Sequence, residues 1–294
     1  MSLSRGFTLK PMKIAIVGAG RIGSAFAFRL SRAGHDLAVV ARGARLEALR
    51  QAGAIVSISG EQAPVQVLAA LDVSTPYDLV LVTVLSHQVD SLMPVLRGSA
   101  GKTVMFMFNT FETIDHWREV IGAERFAFGF PNMVSFLVDG KLRSVVDGPG
   151  MVTTLTSASW AALFKQAGFP TEVELDMNSF LRSHVAFAVP AMVAGILTWQ
   201  SDTELTWAEA SRLTGALKEG LSLVQGLGHT LKPSFVPWLA RLPSFVITPL
   251  VWAAARSRAI KDLGECGPNE ARALIDAMAE AAPGKASKLL AIRP

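Results

Sequence analysis

Residues 12–42 read MKIAIVGAGRIGSAFAFRLSRAGHDLAVVAR, and this stretch decides the fold. Lys13–Val17 is a short β-rich run. Helical periodicity then extends from Arg21 to about Ala33, Gly34 is placed to end it, and DLAVVA at 36–41 forms a second strand. Between strand and helix lies GAGRIG, with Gly18, Gly20 and Gly23 in the G-x-G-x-x-G pattern. The pattern alone is weak evidence. A preceding strand, a helix opening on it and a second strand at the right distance make it a dinucleotide turn. The first glycine permits the tight turn, the second lets backbone approach a pyrophosphate, and the third lets helix and strand pack closely. Free N–H groups at the helix start favour the anion, so Gly18, Ala19, Gly20, Arg21, Ile22 and Gly23 are assigned to the cofactor.

The residue closing the second strand selects the cofactor. NAD sites place an acid there, roughly 20 residues on, to hold the ribose hydroxyls. This chain has Arg42 with Arg45 close behind, and no acid until Glu47. A guanidinium matches a 2′-phosphate in charge and in bidentate geometry, which points to NADP(H).

Working outward, ARLEALRQAG at 44–53 is a short helix, and AIVSISGEQAPVQV at 54–67 reads as a hairpin or irregular excursion. YDLVLVTV (77–84) is a continuous apolar strand, as in a parallel sheet covered on both faces. A helix HQVDSLMPVL, a strand KTVMFMF (102–108), a helix around 112–122 and a strand RFAFGF follow. SFLVDGKLRSVV then suggests a hairpin turning at Asp139-Gly140. Ligands of such sheets lie beyond the carboxyl ends of the strands. That rule assigns Val84, Leu85, Gln88 and Asn109 to the cofactor, with Asn109 also facing substrate.

After about residue 176 the chain becomes helical and rich in alanine and leucine, with breaks near Gly226–Gly228, Pro233–Pro237 and Gly264–Pro268. The expected organisation is a tail over 1–11, an α/β Rossmann-type doubly wound domain over 12–175, and an all-helical substrate and dimerisation domain over 176–294. The boundary falls in GFPTEVELDMNS.

Composition narrows the function classes. Half of the 294 residues are hydrophobic, 18% are charged and the net charge is only +4, with no basic block to mark a nucleic-acid partner. The single cysteine, Cys266, rules out an intramolecular disulfide and fits a reducing cytoplasm. MSLSRGFTLKP lacks the apolar core of a secretory signal. The longest uncharged apolar run, Val185–Trp199, has 15 residues with Pro190 and Gly195 inside. A membrane span needs about 20, so a buried helix is the better reading. As a large apolar face, HVAFAVPAMVAGILTW is also expected to contribute a homodimer contact.

These residues resemble the ketopantoate reductase (2-dehydropantoate 2-reductase) family. The resemblance rests on the stretch from Met12 to Gly43, YDLVLVTV with Gln88, Asn109 after the fifth strand, the DGKLRSVVDGPGMVTTL region and the helical half that follows. It implies reduction of an α-keto acid by NADPH in a cleft between two domains, with Arg42 on the cofactor and Asn109 on substrate or nicotinamide. The departures are specific. A lysine that the family carries after strand four is Leu85 here. The family's Arg-Lys-Leu pattern with its following asparagine is RSHVAFA here, so the catalytic lysine becomes Ser183, the asparagine Phe187 and a further asparagine Ala191. Its substrate-gripping glutamate is offered only as Glu265 or Glu270, neither in the family's local pattern. A smaller or more apolar keto compound than ketopantoate suits such a pocket.

Carbonyl reduction needs a donor aimed at the developing alkoxide. His184, one residue beyond the lost lysine, is the candidate, although a one-residue offset turns a helical side chain by about 100°. The competing reading is a satisfied core histidine. If His184 is the acid, turnover should fall as pH rises through about 6.5. Arg182 reads as a substrate-carboxylate ligand or a surface residue, and His87 as a weaker donor. Tyr77 lies at the wrong end of its strand, and His35, His116 and His229 read as peripheral. Two other functions stay open: a non-catalytic NADP-binding redox sensor, and an opine- or hydroxyacid-type dehydrogenase.

Overall fold

The computed structural model describes residues 10–148, 150–201, 204–265 and 267–294; Cys266 and residues 1–9 of the tail lie outside the described residues. The chain divides into two compact units. One runs to Asn109 and resumes over Ile114–Leu175; the other takes Thr110–Thr113 and Asp176–Pro294.

In the first unit the strands are β1 (Lys13–Val17), β2 (Asp36–Val40), β3 (Ala54–Val56), β4 (Gln62–Pro64), β5 (Gln66–Leu68), β6 (Leu79–Val82), β7 (Val104–Met107), β8 (Phe126–Phe130), β9 (Val134–Val138), β10 (Lys141–Val145), β11 (Thr153–Leu155) and β12 (Thr171–Val173). Its helices are α1 (Arg21–Arg32), α2 (Gly43–Ala52), α3 (Ser86–Val89), α4 (Met93–Gly98), α5 (Asp115–Ile121) and α6 (Ala158–Gln166). Eight strands form one sheet in the order β12-β11-β8-β7-β6-β1-β2-β5. β1 lies between β2 and β6, parallel to both, with Ile16 opposite Val39 and Leu81. Ile14, Ile16, Leu79, Leu81 and Met105 are fully buried, so the strands are apolar throughout instead of alternating. The chain winds to one side of β1 through β2 and to the other through β6. The switch point therefore falls between β1 and β6, where a doubly wound sheet opens a crevice.

The 54–67 excursion resolves into two parts: β3 and β4 pair as a small antiparallel hairpin, while β5 joins the main sheet parallel to β2. The sheet is mixed, because β11 runs antiparallel to β8. β11 and β12 have three residues each, too few for a period to show in the sequence. The β9–β10 hairpin pairs Val138 with Lys141 and leaves Asp139-Gly140 as a two-residue turn, with φ of 48° and 76°. That is the left-handed geometry of a type I′ turn, which Asp-Gly favours.

The second unit contains α7 (Met177–Ser201), α8 (Trp207–Gly226), α9 (Val236–Arg241), α10 (Ser244–Ala254), α11 (Arg258–Gly264), α12 (Pro268–Ala281) and α13 (Ser287–Leu290). Its core is lined by Val185, Ala186, Val189, Val193 and Ile196 of α7 together with Leu213, Leu217, Leu221 and Ile275. The glycine inside the apolar run has a packing reason: a Cβ on Gly195 would stand 2.4 Å from the Ile260 carbonyl oxygen. α7 is the one described helix long and apolar enough to cross a membrane by length and composition, and 67% of its apolar window is buried inside the structure. HVAFAVPAMVAGILTW, the stretch expected to contribute a subunit contact, lies within α7. Most of that stretch is consumed by the unit's own core, and its exposed large side chains are Phe187 and Trp199. Phe111, from the short Thr110–Thr113 insert, is buried in this same core.

Candidate active site

The glycine turn joins β1 to α1 at the switch point. Gly18 has φ +113°, a conformation that side chains rarely adopt. A Cβ on Gly23 would lie 1.9 Å from the Gly18 carbonyl oxygen and 2.6 Å from Thr83 Oγ1, so only glycine fits. Around Gly20 the space is open: a Cβ there meets nothing within 4 Å. Two carbonyls of the turn are anchored from behind. Thr83 Oγ1 donates to the Gly18 carbonyl at 2.8 Å. Ser24 Oγ and Arg45 Nε donate to the Ala19 carbonyl at 3.2 and 3.1 Å. A trans peptide points its C=O and N–H in opposite directions. Anchoring these two oxygens therefore aims the N–H groups of Ala19 and Gly20 away from the protein, and neither is hydrogen-bonded among the described residues. The first turn of α1 has no acid to neutralise its positive end. Arg21 opens the helix, and its carbonyl accepts from Ser135 Oγ at 2.8 Å. Ile22 is half-buried and packs on the core beneath.

The two arginines separate. Arg42 is exposed just beyond the carboxyl end of β2, capping α2 with extended backbone, and its guanidinium has no hydrogen bond or ion pair among the described residues. Arg45 is half-buried and committed: besides Ala19, it donates Nη1 to the Gly140 carbonyl at 2.8 Å and Nη2 to Ser24 Oγ at 3.0 Å. Burial lowers its pKa from the ordinary arginine value. Arg45, read from the sequence as a cofactor-binding residue, thus braces turn, helix and hairpin tip. Thr83 and Ser24 were missed in the sequence. The available signal was a threonine closing an otherwise apolar strand.

Val84 and Leu85 follow β6, and Val84 Cγ1 stands 3.0 Å from the position of a Cβ on Gly18. Leu85 is exposed, and its N–H donates to Gln88 Oε1 at 3.2 Å, so Gln88 caps the turn that opens α3. His87 is exposed on the same short helix. Tyr77 is buried at the amino end of β6, away from the strand ends where the turn lies. Asn109 follows β7 at the carboxyl edge, and its buried Oδ1 has no hydrogen-bond partner among the described residues. Leaving a buried amide oxygen unsatisfied costs about 1–3 kcal/mol, so this end of the side chain is suited to a ligand donor.

The early turns of α7 have two faces. On one, Ser183 is fully buried and accepts from the Lys232 backbone N–H at 3.0 Å. Arg182 Nε donates to the Phe111 carbonyl at 2.9 Å, and Nη1 hydrogen-bonds to His229 Nε2. A guanidinium cannot accept, so Nε2 must, and the proton sits on Nδ1, which donates to Ser179 Oγ at 3.1 Å. His229 is therefore neutral and part of a polar cluster, not peripheral; burial, then the Arg182 charge, lowers its pKa. On the other face, His184 stacks on Phe180 with ring centroids 6.2 Å apart and planes 19° apart. Burial pushes its pKa down to about 4. At neutral pH it is an uncharged imidazole, so the expected fall of turnover through about 6.5 does not apply to it. Glu270 lies in the first turn of α12, and Glu265 caps the end of α11.

The ketopantoate reductase PanE/ApbA family model matches residues 14–153. The 2-dehydropantoate 2-reductase of Aquifex aeolicus is 26% identical over 190 residues, 60% of each chain. That of Mesorhizobium japonicum is 39% identical over 101 residues, 32% of this chain and 31% of the relative. The matches thus span less than two thirds of those relatives' length. A PanE/ApbA family ketopantoate reductase from Ralstonia eutropha superposes with TM-score 0.71 at 20% identity, covering 96% of this chain and 97% of that one. D-mandelate dehydrogenase with NADH gives 0.69 at 14%, covering 96% and 97%. A dimeric ketopantoate reductase from Staphylococcus aureus gives 0.66 at 13%, covering 95% and 96%. These likenesses support the same fold, an eight-stranded mixed sheet followed by a helical half. Residues 14–153 are a ketopantoate reductase PanE/ApbA family domain.

Proposed function

We propose that this chain is an NADPH-dependent reductase of a 2-oxo acid. The observation that carries the reading is the pair of outward-aimed, unsatisfied N–H groups at Ala19 and Gly20 beside the uncommitted guanidinium of Arg42. The turn fits a diphosphate, Arg42 fits a 2′-phosphate, and the orphaned Asn109 oxygen fits an amide donor or a substrate hydroxyl. Bound NADPH would supply the hydride for the carbonyl carbon. The chain's own residues bind and orient. With its pKa near 4, His184 serves as a neutral N–H donor that stabilises the developing alkoxide by a hydrogen bond, and the alkoxide takes its proton from water. Ser183 cannot replace the family's lysine, because its hydroxyl is buried on the Lys232 backbone. A homodimer in the cytoplasm accompanies this reading, supported by the dimeric relative of shared fold.

The test is NADPH consumption across a panel of 2-oxo acids, with NADH as the comparison. Arg42→Ala should lower the preference for NADPH over NADH by about 10- to 100-fold, since charge-assisted hydrogen bonds contribute about 1.5–3 kcal/mol each. An unchanged preference would remove Arg42 from cofactor selection. NADPH binding with no oxo acid reduced would favour the sensor reading, for which the buried Ser183 speaks.

A further inference from the structure

On α7, Phe180, His184 and Phe187 follow at i, i+4 and i+7 and so share one helical face. Phe180 is buried beneath His184, whereas Phe187 is 39% exposed. Phe235 meets Phe187 edge-on, with ring centroids 6.1 Å apart and planes 82° apart. Phe235 is 52% exposed, and Trp238, three residues on at the start of α9, is 63% exposed. The second unit therefore leaves Phe187 and Phe235 exposed in edge contact, on the helical face that also carries His184. The polar groups of the same helix turns, Ser179, Arg182 and Ser183, turn instead to His229 and the Lys232 backbone. Singly exposed aromatics are ordinary, whereas two in ring contact beside an imidazole form a small clustered apolar surface suited to a ligand.

We infer that this face receives the side chain of the substrate, and that the substrate is an aryl-substituted 2-oxo acid. The inference rests on the reductase reading for its chemistry but not for its geometry. His184 and Phe187 are three residues apart, a rise of about 4.5 Å on a helix. Residues at that spacing are neighbours on the helix surface, so one small molecule can touch both side chains. Phe187 and Phe235 in edge contact offer a third ring the offset or T-shaped geometry that aromatic groups prefer. Neither phenylalanine can hydrogen-bond, so a hydroxylated side chain would lose its water partners there without replacement.

The experiment compares phenylglyoxylate and phenylpyruvate with pyruvate and ketopantoate, using NADPH and the full chain. The expected result is a kcat/KM for an aryl oxo acid at least tenfold above that for pyruvate. Phe187→Asn and, separately, Phe235→Ser should lower kcat/KM for the aryl oxo acid at least tenfold, while the NADPH Kd stays within about twofold and the Tm within a few degrees. Equal or better use of ketopantoate or pyruvate overturns the inference and leaves the reductase reading standing. If no oxo acid is reduced, phenylglyoxylate binding is followed by tryptophan fluorescence with Trp238→Phe as the blank. A Trp238-dependent quench then upholds the aromatic site while the reductase reading falls, and no quench overturns both. If Phe187→Asn and Phe235→Ser change the oligomeric state but not specificity, the face is a contact between copies and the inference is overturned.

Discussion

Gly20→Ala separates folding from cofactor binding. The residue has φ −74° and ψ −164°, which alanine adopts without strain, and an added Cβ meets no atom within 4 Å. Folding should therefore improve slightly, because alanine has less freedom to lose; compatible Gly→Ala changes stabilise by about 0.4–1 kcal/mol. The emptiness that makes the methyl harmless to the protein is the space a diphosphate needs against the Gly20 N–H. Displacing the anion from one of the aimed N–H groups removes about 1.5–3 kcal/mol. The NADPH Kd should rise by about 10- to 150-fold. Gly23→Ala is the contrasting control. Its Cβ would sit 1.9 Å from a carbonyl oxygen and 2.6 Å from Thr83 Oγ1, so the turn must open and both stability and affinity fall. The assays are thermal unfolding without ligand and a fluorescence titration with NADPH. A Gly20→Ala protein that melts normally and binds NADPH as tightly as its parent would refute the cradle.

Two further outcomes follow from the site. Arg45→Met removes donors from the Ala19 carbonyl, Ser24 and the Gly140 carbonyl, so the unliganded Tm should drop and the NADPH Kd should rise about tenfold; Arg45→Lys, lacking the fork, should recover little of either. A lowered Tm with unchanged Kd would confine Arg45 to holding the hairpin. His184 and His229 both have folded pKa values below that of the unfolded chain, so the unfolded state binds protons first as pH falls. Their contribution is complete above about pH 6.5 and is lost on acidification, for His184 by about 3 kcal/mol between 6.5 and its folded value of about 4. His184→Leu should flatten much of that decline in unfolding free energy measured by urea titration, and an unchanged pH dependence would show that its imidazole is solvated.

The nucleotide-binding half was legible because its information is local. A strand, three spaced glycines and a helix sit in consecutive residues, and Asp139-Gly140 specifies its turn through backbone sterics alone. The anchors of that turn were not legible, because Thr83 reaches the Gly18 carbonyl from 65 residues away and Arg45 reaches Gly140 from 95 away. Arg42 and Arg45 are arginines three residues apart at the start of α2, just past β2. Only the positions of their acceptors make one a brace and leave the other free. His229 was passed over for the same reason, since its partners Ser179 and Arg182 lie on a helix some 50 residues earlier. The charge state of His184 depends on burial by the folded unit, which helical periodicity cannot supply.

The Thr110–Thr113 insert has a consequence for how the chain is made. Phe111 is synthesised between β7 and α5, yet its carbonyl is held by Arg182, 71 residues later, and its ring belongs to the helical core. At about 5–20 residues per second, its partner emerges roughly 4–14 seconds after it does. During that interval a fully apolar ring that ends up 1% exposed has no core to enter. The nascent sheet unit thus carries a sticky loop until α7 arrives, and the two halves of this protein are coupled in time as well as in sequence.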